Sequence, residues 1–345
     1  MKKRVLVGMS GGVDSSVAAA KLLEQGYEVA GATMQLSREH PAPSADAKAV
    51  ADKLGIPFYE LDFTDLFRQK VINYFTGEYL LGRTPNPCVM CNREIKFGRL
   101  FDWALANGFD YVATGHYARI AYDSTSGRYL LKKSHSAAKD QTYVLYNMTQ
   151  RELSHTLIPL CAGEKEQTRQ YARALGLPIA DKPDSQDICF IPDGDYIAFL
   201  KEYAGYQDKK GYFIDQSGSI LGEHNGVAHF TIGQRKGLGV TFGKPMFVIG
   251  IDGAANTVTL GESGSEFSGS FSITEANFIP FDVLEAPLDV SCKVRYSAKE
   301  VPCRIYPAEN GVHRVELAEK ARAITPGQSA VFYDGDVVVG GGVIA

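Results

Sequence analysis

Apolar and polar positions change rhythm along this chain, and the changes mark out its architecture. Arg4-Val5-Leu6-Val7-Gly8 is a short β-branched and apolar run with the texture of a buried strand, and Ser16 to Leu23 then takes up helical spacing that stops at Gly26. A second strand is predicted over Tyr27 to Thr33, a helix over Ser44 to Leu54 closing at Gly55, and a third strand over Phe58 to Leu61. Asp65 to Tyr79 reads as helix and Leu81 to Cys91 as a Pro-punctuated loop. A further helix leads to Asn107-Gly108, and Tyr111 to Thr114 is the next strand. This order predicts an α/β fold, a mostly parallel sheet covered on both faces, with ligands beyond the carboxyl ends of its strands. Arg119 to Lys132 has the pattern of a hairpin turning at Asp123 to Gly127, and helical spacing resumes over Gly163 to Leu175 and Asp195 to Leu200. Beyond about Gly205 short alternating runs separated by Gly, Asp and Asn turns predict an all-β region, such as Met246 to Ile251, Asp252-Gly253 and Thr257 to Leu260. Two small barrel-like units divide near Gly264 to Gly269. The expected domains are therefore 1–204, 205–266 and 267–345.

Composition narrows the class. The 345 residues suffice for two or three separate cores, and 22% charged with 45% hydrophobic residues is ordinary for a globular chain. No apolar run approaches a membrane span, and the apolar stretch after Lys2-Lys3-Arg4 ends at Met9, too short for a secretory leader, so a cytoplasmic protein with no membrane partner is expected. The net charge of −4 does not advertise a nucleic-acid partner. Two local basic segments do exist, Arg83, Arg93, Lys96 and Arg99 against Glu94, and Lys293, Arg295, Lys299 and Arg304 against Glu300, although each taken alone reads better as a solvated face.

Between the first strand and the first helix lies Ser10-Gly11-Gly12-Val13-Asp14-Ser15. A strand, a Gly-rich turn carrying hydroxyls and a helix N-terminus make an anion site, because free backbone N–H groups point into the turn and the glycines let a phosphate approach. No Lys follows the glycines, which excludes a Walker loop. The pattern resembles the pyrophosphate loop of the ATP pyrophosphatase superfamily, which splits ATP between its α- and β-phosphates. Asp14 at such a site suits Mg²⁺ on the leaving pyrophosphate rather than the anion itself.

Six cysteines in 345 residues are too sparse for a disulfide scaffold. Cys161, Cys292 and Cys303 read as buried and inert. Cys88 and Cys91 form a C-x-x-C within Thr84 to Phe97, and Cys189 stands downstream in Ser185-Gln186-Asp187-Ile188-Cys189-Phe190. Structural zinc would need a second pair. A catalytic reading has Cys189 carrying a persulfide, with Cys91 assisting or becoming its disulfide partner. Cys91 is expected at a helix start beside Arg93 and Lys96, where dipole and cations would favour thiolate.

Blocks spread over nearly the whole chain resemble the bacterial tRNA-specific 2-thiouridylase (MnmA/TrmU) family: Gly8 to Ser15, Asn86 to Phe97, Gly115-His116-Tyr117-Ala118-Arg119, Lys139-Asp140-Gln141-Thr142-Tyr143, Ser185 to Phe190, Gly233 to Leu238, Arg295-Tyr296 and Thr325 to Ser329. The resemblance implies ATP-dependent 2-thiolation of the wobble uridine in tRNAs for Lys, Glu and Gln, with a cysteine desulfurase or sulfur relay as donor. It implies ATP contacts from Gly8, Met9, Ser10, Gly11, Gly12, Val13, Asp14, Ser15, Met34 and Gly115. Asn86, Pro87 and Cys88 would lie against the target base, and Lys139, Asp140, Gln141, Arg295, Tyr296 and Gln328 would touch tRNA. His116 would contact tRNA or AMP, or simply end a strand. Cys91 matches the family's nucleophile and Cys189 its persulfide carrier. Better-known members carry Asp at the position of Cys88, so Cys88, Cys91 and Cys189 could instead hold a [4Fe–4S] cluster with one iron open. Contacts spread over all domains suggest a monomer. The competing readings are another pyrophosphate-loop ligase, which would want a glutaminase domain or an N-terminal catalytic Cys, and a non-catalytic RNA-binding protein with a relict nucleotide site.

Overall fold

The computed structural model describes residues 2–38, 44–160, 165–182, 188–240 and 243–345. Its first sheet contains β1 (Arg4–Gly8), β2 (Glu28–Gln35), β3 (Phe58–Asp62), β4 (Tyr111–Ala113) and the short β7 (Thr156–Leu157), in the order β3-β2-β1-β4-β7 and parallel throughout. The order reverses between β1 and β4, so a crevice opens at their carboxyl ends. Alternation along β1 serves both faces. Val5 and Val7 pack with α1 (Val13–Glu24), α2 (Ser44–Leu54) and the Lys165–Ala174 helix, whereas Leu6 faces Phe67, Phe75, Ile95 and Leu200 on the other side. α1 begins at Gly12 and carries Asp14 in its first turn and Lys21 in its last, each sign matching the helix dipole.

The hairpin of β5 (Arg119–Asp123) and β6 (Arg128–Lys132) forms over the predicted residues, with Asp123 opposite Arg128. Its destination was not legible: β6 meets the C-terminal sheet at Val337↔Lys132, so the hairpin extends a different unit from the one that encodes it. The second unit is a four-stranded sheet of β8 (Gly211–Ile214), β9 (Ile220–His224), β10 (Met246–Asp252) and β11 (Thr257–Glu262) around Phe213, Val248, Val258 and Leu260. The third contains β12 (Phe267–Phe278), β13 (Leu288–Lys293), β14 (Val301–Ile305), β15 (His313–Arg322), β16 (Ser329–Asp334) and β17 (Val337–Ile344). Because β12 pairs with both β15 and β17, this antiparallel sheet closes on itself and leaves no edge there. Among the described residues no helix is long and apolar enough to cross a membrane.

Candidate nucleotide and sulfur site

The loop after β1 is held from within. Ser15 Oγ accepts from Ser10 N (3.2 Å), Ser16 Oγ donates to Gly12 O (2.8 Å), and Gly11 takes φ of +71°, which favours glycine. Gly8 ends β1 and Met34 lies near the end of β2, opposite Leu61 in the register, so both fall on the carboxyl edge of the sheet with the loop. Asp14 Oδ1 accepts from the Tyr117 hydroxyl (2.7 Å), which also reaches Thr168 Oγ1 (3.2 Å) on the Lys165–Ala174 helix. The loop fits a phosphate by its backbone, and Asp14 supplies one carboxylate; Mg²⁺ bound by one carboxylate plus substrate phosphates needs no more from the protein. Lys182 was missed by the sequence reading. It arrives from 171 residues away and donates from Nζ to Gly11 O (3.2 Å) and Asp46 Oδ2 (2.6 Å). No periodicity or motif signalled that approach.

Gly115 touches the first turn of α1 so closely that a Cβ there would lie 2.5 Å from Ser15 N. The next residue, His116, is buried at 9% exposure, bonds Thr114 Oγ1 through Nδ1 (2.7 Å), and has its ring 6.0 Å from that of Phe97. Burial, and then the Lys96 cation, hold its pKa well below 6.5, so the imidazole is neutral. An unfolded chain takes up a proton near pH 6.5 that this folded histidine refuses. Stability is therefore expected to fall as pH drops below that point, by up to about 1.4 kcal/mol per pH unit for one such group. His224 is depressed in the same direction, so the measurement is a difference: denaturant midpoints between pH 8 and 5 should slope less steeply for His116→Gln than for the unaltered chain. Equal slopes would refute a buried neutral His116.

The cysteine segment departs from its expected form. Helix begins at Pro87, not at Cys91: Asn86 Oδ1 caps it by accepting from Cys88 N (3.1 Å) and Val89 N (3.3 Å), and Pro87 occupies the first turn. Asn86 and Pro87 thus end the loop by starting the helix. Cys91 lies a turn further in, opening a π-helical stretch over Cys91–Leu100. It is buried, and burial pushes its thiol up to about 12 despite Lys96. The expected low-pKa thiolate at Cys91 is corrected on that ground: desolvation outweighs dipole and cation. Cys88, near the helix N-terminus, is exposed instead. Cys189 is also exposed by area, yet the surrounding protein and the Cys88 sulfur raise its thiol, with Lys96 opposing. The three sulfurs therefore influence one another, but among the described residues no three His, Cys, Asp or Glu side chains converge as a metal-ligand group. Ser185 to Asp187 and Cys161 lie outside the described residues. Cys292 and Cys303 are buried in the barrel interior, as expected.

The residues expected to touch tRNA divide. Gln328 donates to Thr84 O (2.8 Å) and Pro85 O (3.3 Å), and Thr84 N donates to Pro326 O (2.9 Å), so the barrel grips the segment leading to Asn86-Pro87-Cys88. Arg295 donates to Ile232 O (2.9 Å) and to Thr325 Oγ1, tying the second unit to the third. Gln141 Oε1 accepts from Tyr117 N (3.0 Å), and Asp140 accepts from Ser134 N (2.8 Å) and Thr142 Oγ1 (2.5 Å). Tyr296 is exposed, its hydroxyl within 3.4 Å of Asp140 O, and partial desolvation, then Asp140, then the Cys88 sulfur push its phenol up. Lys139 closes a single 3₁₀ turn, Ala137–Lys139, beside them. Of the basic segments, Arg83 pairs with Glu78, Arg93 with Glu94 and Glu275, and Arg304 with Asp289.

A parallel sheet with a glycine-rich anion loop at its switch point, followed by two β units, defines a nucleotide-binding enzyme core with barrel attachments. Models of known domains match in that order: the tRNA methyl transferase HUP domain over residues 3–193, the tRNA methyl transferase PRC-barrel domain over 197–262, and the Aminomethyltransferase beta-barrel domain over 268–344. The HUP domain is an ATP-binding one. The chain is 55% identical to the tRNA-specific 2-thiouridylase MnmA of Acetivibrio thermocellus, over 99% of each chain. It is 50% identical to that of Clostridioides difficile (100% of this chain, 98% of the relative) and 52% to that of Caldicellulosiruptor saccharolyticus (100% and 99%). The chain belongs to the tRNA-specific 2-thiouridylase family.

Proposed function

We propose that the chain thiolates C2 of the wobble uridine in tRNAs for Lys, Glu and Gln, using ATP to adenylate the C2 oxygen and sulfur to displace AMP. The observation that carries this reading is the turn Gly115-His116-Tyr117. Gly115 lies on the first turn of α1, Tyr117 holds Asp14, and His116 packs on Phe97 of the cysteine-bearing helix. One turn thus couples the nucleotide loop to the sulfur residues. The C2 oxygen is a poor leaving group until it becomes part of AMP, and the loop's backbone N–H groups stabilise the departing pyrophosphate. Flipping the base from its stack lets a pocket reach C2.

For sulfur delivery we assign the persulfide to Cys189. Its terminal sulfur attacks C2, and AMP leaves with the C2–O electron pair. Cys91 sulfur, deprotonated for the step, then attacks Cys189 Sγ. The S–S bond to the base breaks, its electrons stay on the 2-thio group, and a Cys91–Cys189 disulfide remains for an external thiol to reduce. Sulfur reaches Cys189 from a cysteine desulfurase or a relay protein. The test is 2-thiouridine formed anoxically on unmodified tRNA(Lys) with ATP, Mg²⁺ and a sulfur source, comparing iron-free with iron–sulfur-reconstituted protein. Equal product supports the persulfide assignment. Product only after reconstitution would transfer Cys88, Cys91 and Cys189 to cluster binding, and no tRNA-dependent pyrophosphate release from either would leave an RNA-binding module.

A further inference from the structure

The pyrophosphate loop lacks the lysine that a Walker loop carries in sequence, and the fold brings one to the same place from elsewhere. Lys182 Nζ has two acceptors, Gly11 O at 3.2 Å and Asp46 Oδ2 at 2.6 Å, and no third among the described residues. An ammonium has three N–H donors, so one is unspent beside the glycines. The residue is also held in place. Arg169 Nη1 donates to Lys182 O (2.9 Å) and Ala180 O (3.4 Å), and Arg169 lies one position from Thr168, which receives the same Tyr117 hydroxyl that binds Asp14. A single helix, Lys165–Ala174, therefore sets the positions of both the acidic and the basic side chain at the loop. Asp46, in the first turn of α2, is the counter-ion that keeps Lys182 at the loop.

We infer that Lys182 contacts the β- and γ-phosphates of ATP and neutralises the pyrophosphate as it leaves. When the uridine oxygen bonds to the α-phosphorus, the Pα–O bond to the β-phosphate breaks and its electron pair moves onto pyrophosphate, whose negative charge rises at the mouth of the loop. A lysine poised there stabilises that charge more than it stabilises bound ATP, as the in-sequence lysine does in Walker loops. The inference rests on the ATP reading above but not on thiolation itself.

Inorganic pyrophosphate is therefore the probe, measured by direct calorimetric titration in Mg²⁺ without tRNA. Lys182→Ala is expected to weaken pyrophosphate binding about 10- to 100-fold, the range for losing a charge-assisted contact, and to lower kcat/KM for ATP similarly with AMP binding unchanged. Lys182→Arg should restore most of the pyrophosphate affinity, and Asp46→Asn should keep most of it, since the amide Oδ1 still accepts from Lys182 Nζ and holds it at the loop. Unchanged pyrophosphate affinity in Lys182→Ala would overturn the inference and leave a surface ion pair of little consequence. So would a wild-type chain that binds no pyrophosphate, or equal weakening of AMP and pyrophosphate in Lys182→Ala. If thiolation fails but the titration behaves as expected, Lys182 keeps its role on a different adenylation reaction.

Discussion

Cys189→Ser is expected to abolish 2-thiouridine formation, a loss on the order of 1000-fold or more, while tRNA-dependent release of pyrophosphate continues. In the proposed scheme adenylation precedes sulfur transfer and uses no thiol, so removing sulfur chemistry should leave adenylation intact and let adenylated tRNA accumulate. The proposed order of action, Cys189 before Cys91, draws on the exposure of Cys189 and the burial of Cys91. A donor protein's persulfide can reach Cys189 and pass its outer sulfur to it, leaving the donor as a thiol. Burial pushes the Cys91 thiol up to about 12, so it is protonated at pH 7 and Cys91 is a poor first acceptor of sulfur. Cys91→Ser should accordingly still load an extra sulfur, visible by intact mass, yet stall with the base joined to Cys189 unless external thiol is added. Cys88→Ala should thiolate at near the unaltered rate. If Cys88→Ala is as dead as Cys189→Ser, the persulfide assignment fails and three equivalent sulfur ligands become the reading to pursue.

The contrast between Cys91 and Cys88 shows what kind of information a sequence withholds. Asn86-Pro87 read as part of a loop because proline interrupts helices, but the same pair is also a cap and a first-turn residue, and the bonds that Asn86 Oδ1 accepts from Cys88 N and Val89 N decide between them. Placing the helix start four residues too late made Cys91 the residue at the dipole and hid its burial. The strands, the β5–β6 hairpin and the switch-point loop were legible because each is encoded by neighbours: alternation, a turn, a glycine pair. Long-range closures were not. Lys182 on Gly11, Gln328 on Thr84, Arg295 on Ile232 and Lys132 opposite Val337 all join residues more than 60 positions apart, and no local pattern reports them. Three of these contacts add to what the sequence suggests. Gln328 and Arg295 read as RNA contacts by resemblance, and the structure gives each a hydrogen-bonded duty inside the protein, whereas Lys182 had no reading at all.

Gly115→Ala should weaken ATP binding by about 100-fold although it adds a single methyl group. The Cβ would stand 2.5 Å from Ser15 N, 2.7 Å from Asp14 C and 2.9 Å from Ser15 Cα, all of them main-chain atoms of the first turn of α1. None can rotate aside, so either the turn after β4 or the helix start must move by roughly 1 Å, a displacement that alone can cost about 100-fold at a positioned site. The moving atoms are the very N–H groups that would face the phosphates in the proposed complex, and the shift also carries Asp14 away from Tyr117. Overpacking should lower stability by about 1–3 kcal/mol as well. Gly77→Ala provides the control: Gly77 lies within the Asn73–Leu80 helix with nothing inside 4 Å of its added carbon, so alanine there should leave ATP binding unchanged and stabilise the fold by about 0.5–1 kcal/mol. Fluorescent-nucleotide titration and thermal melts of the two variants decide the matter. Wild-type ATP affinity in Gly115→Ala would mean that the contact between β4's turn and α1 is slack, and that the nucleotide loop is set by its internal hydrogen bonds alone.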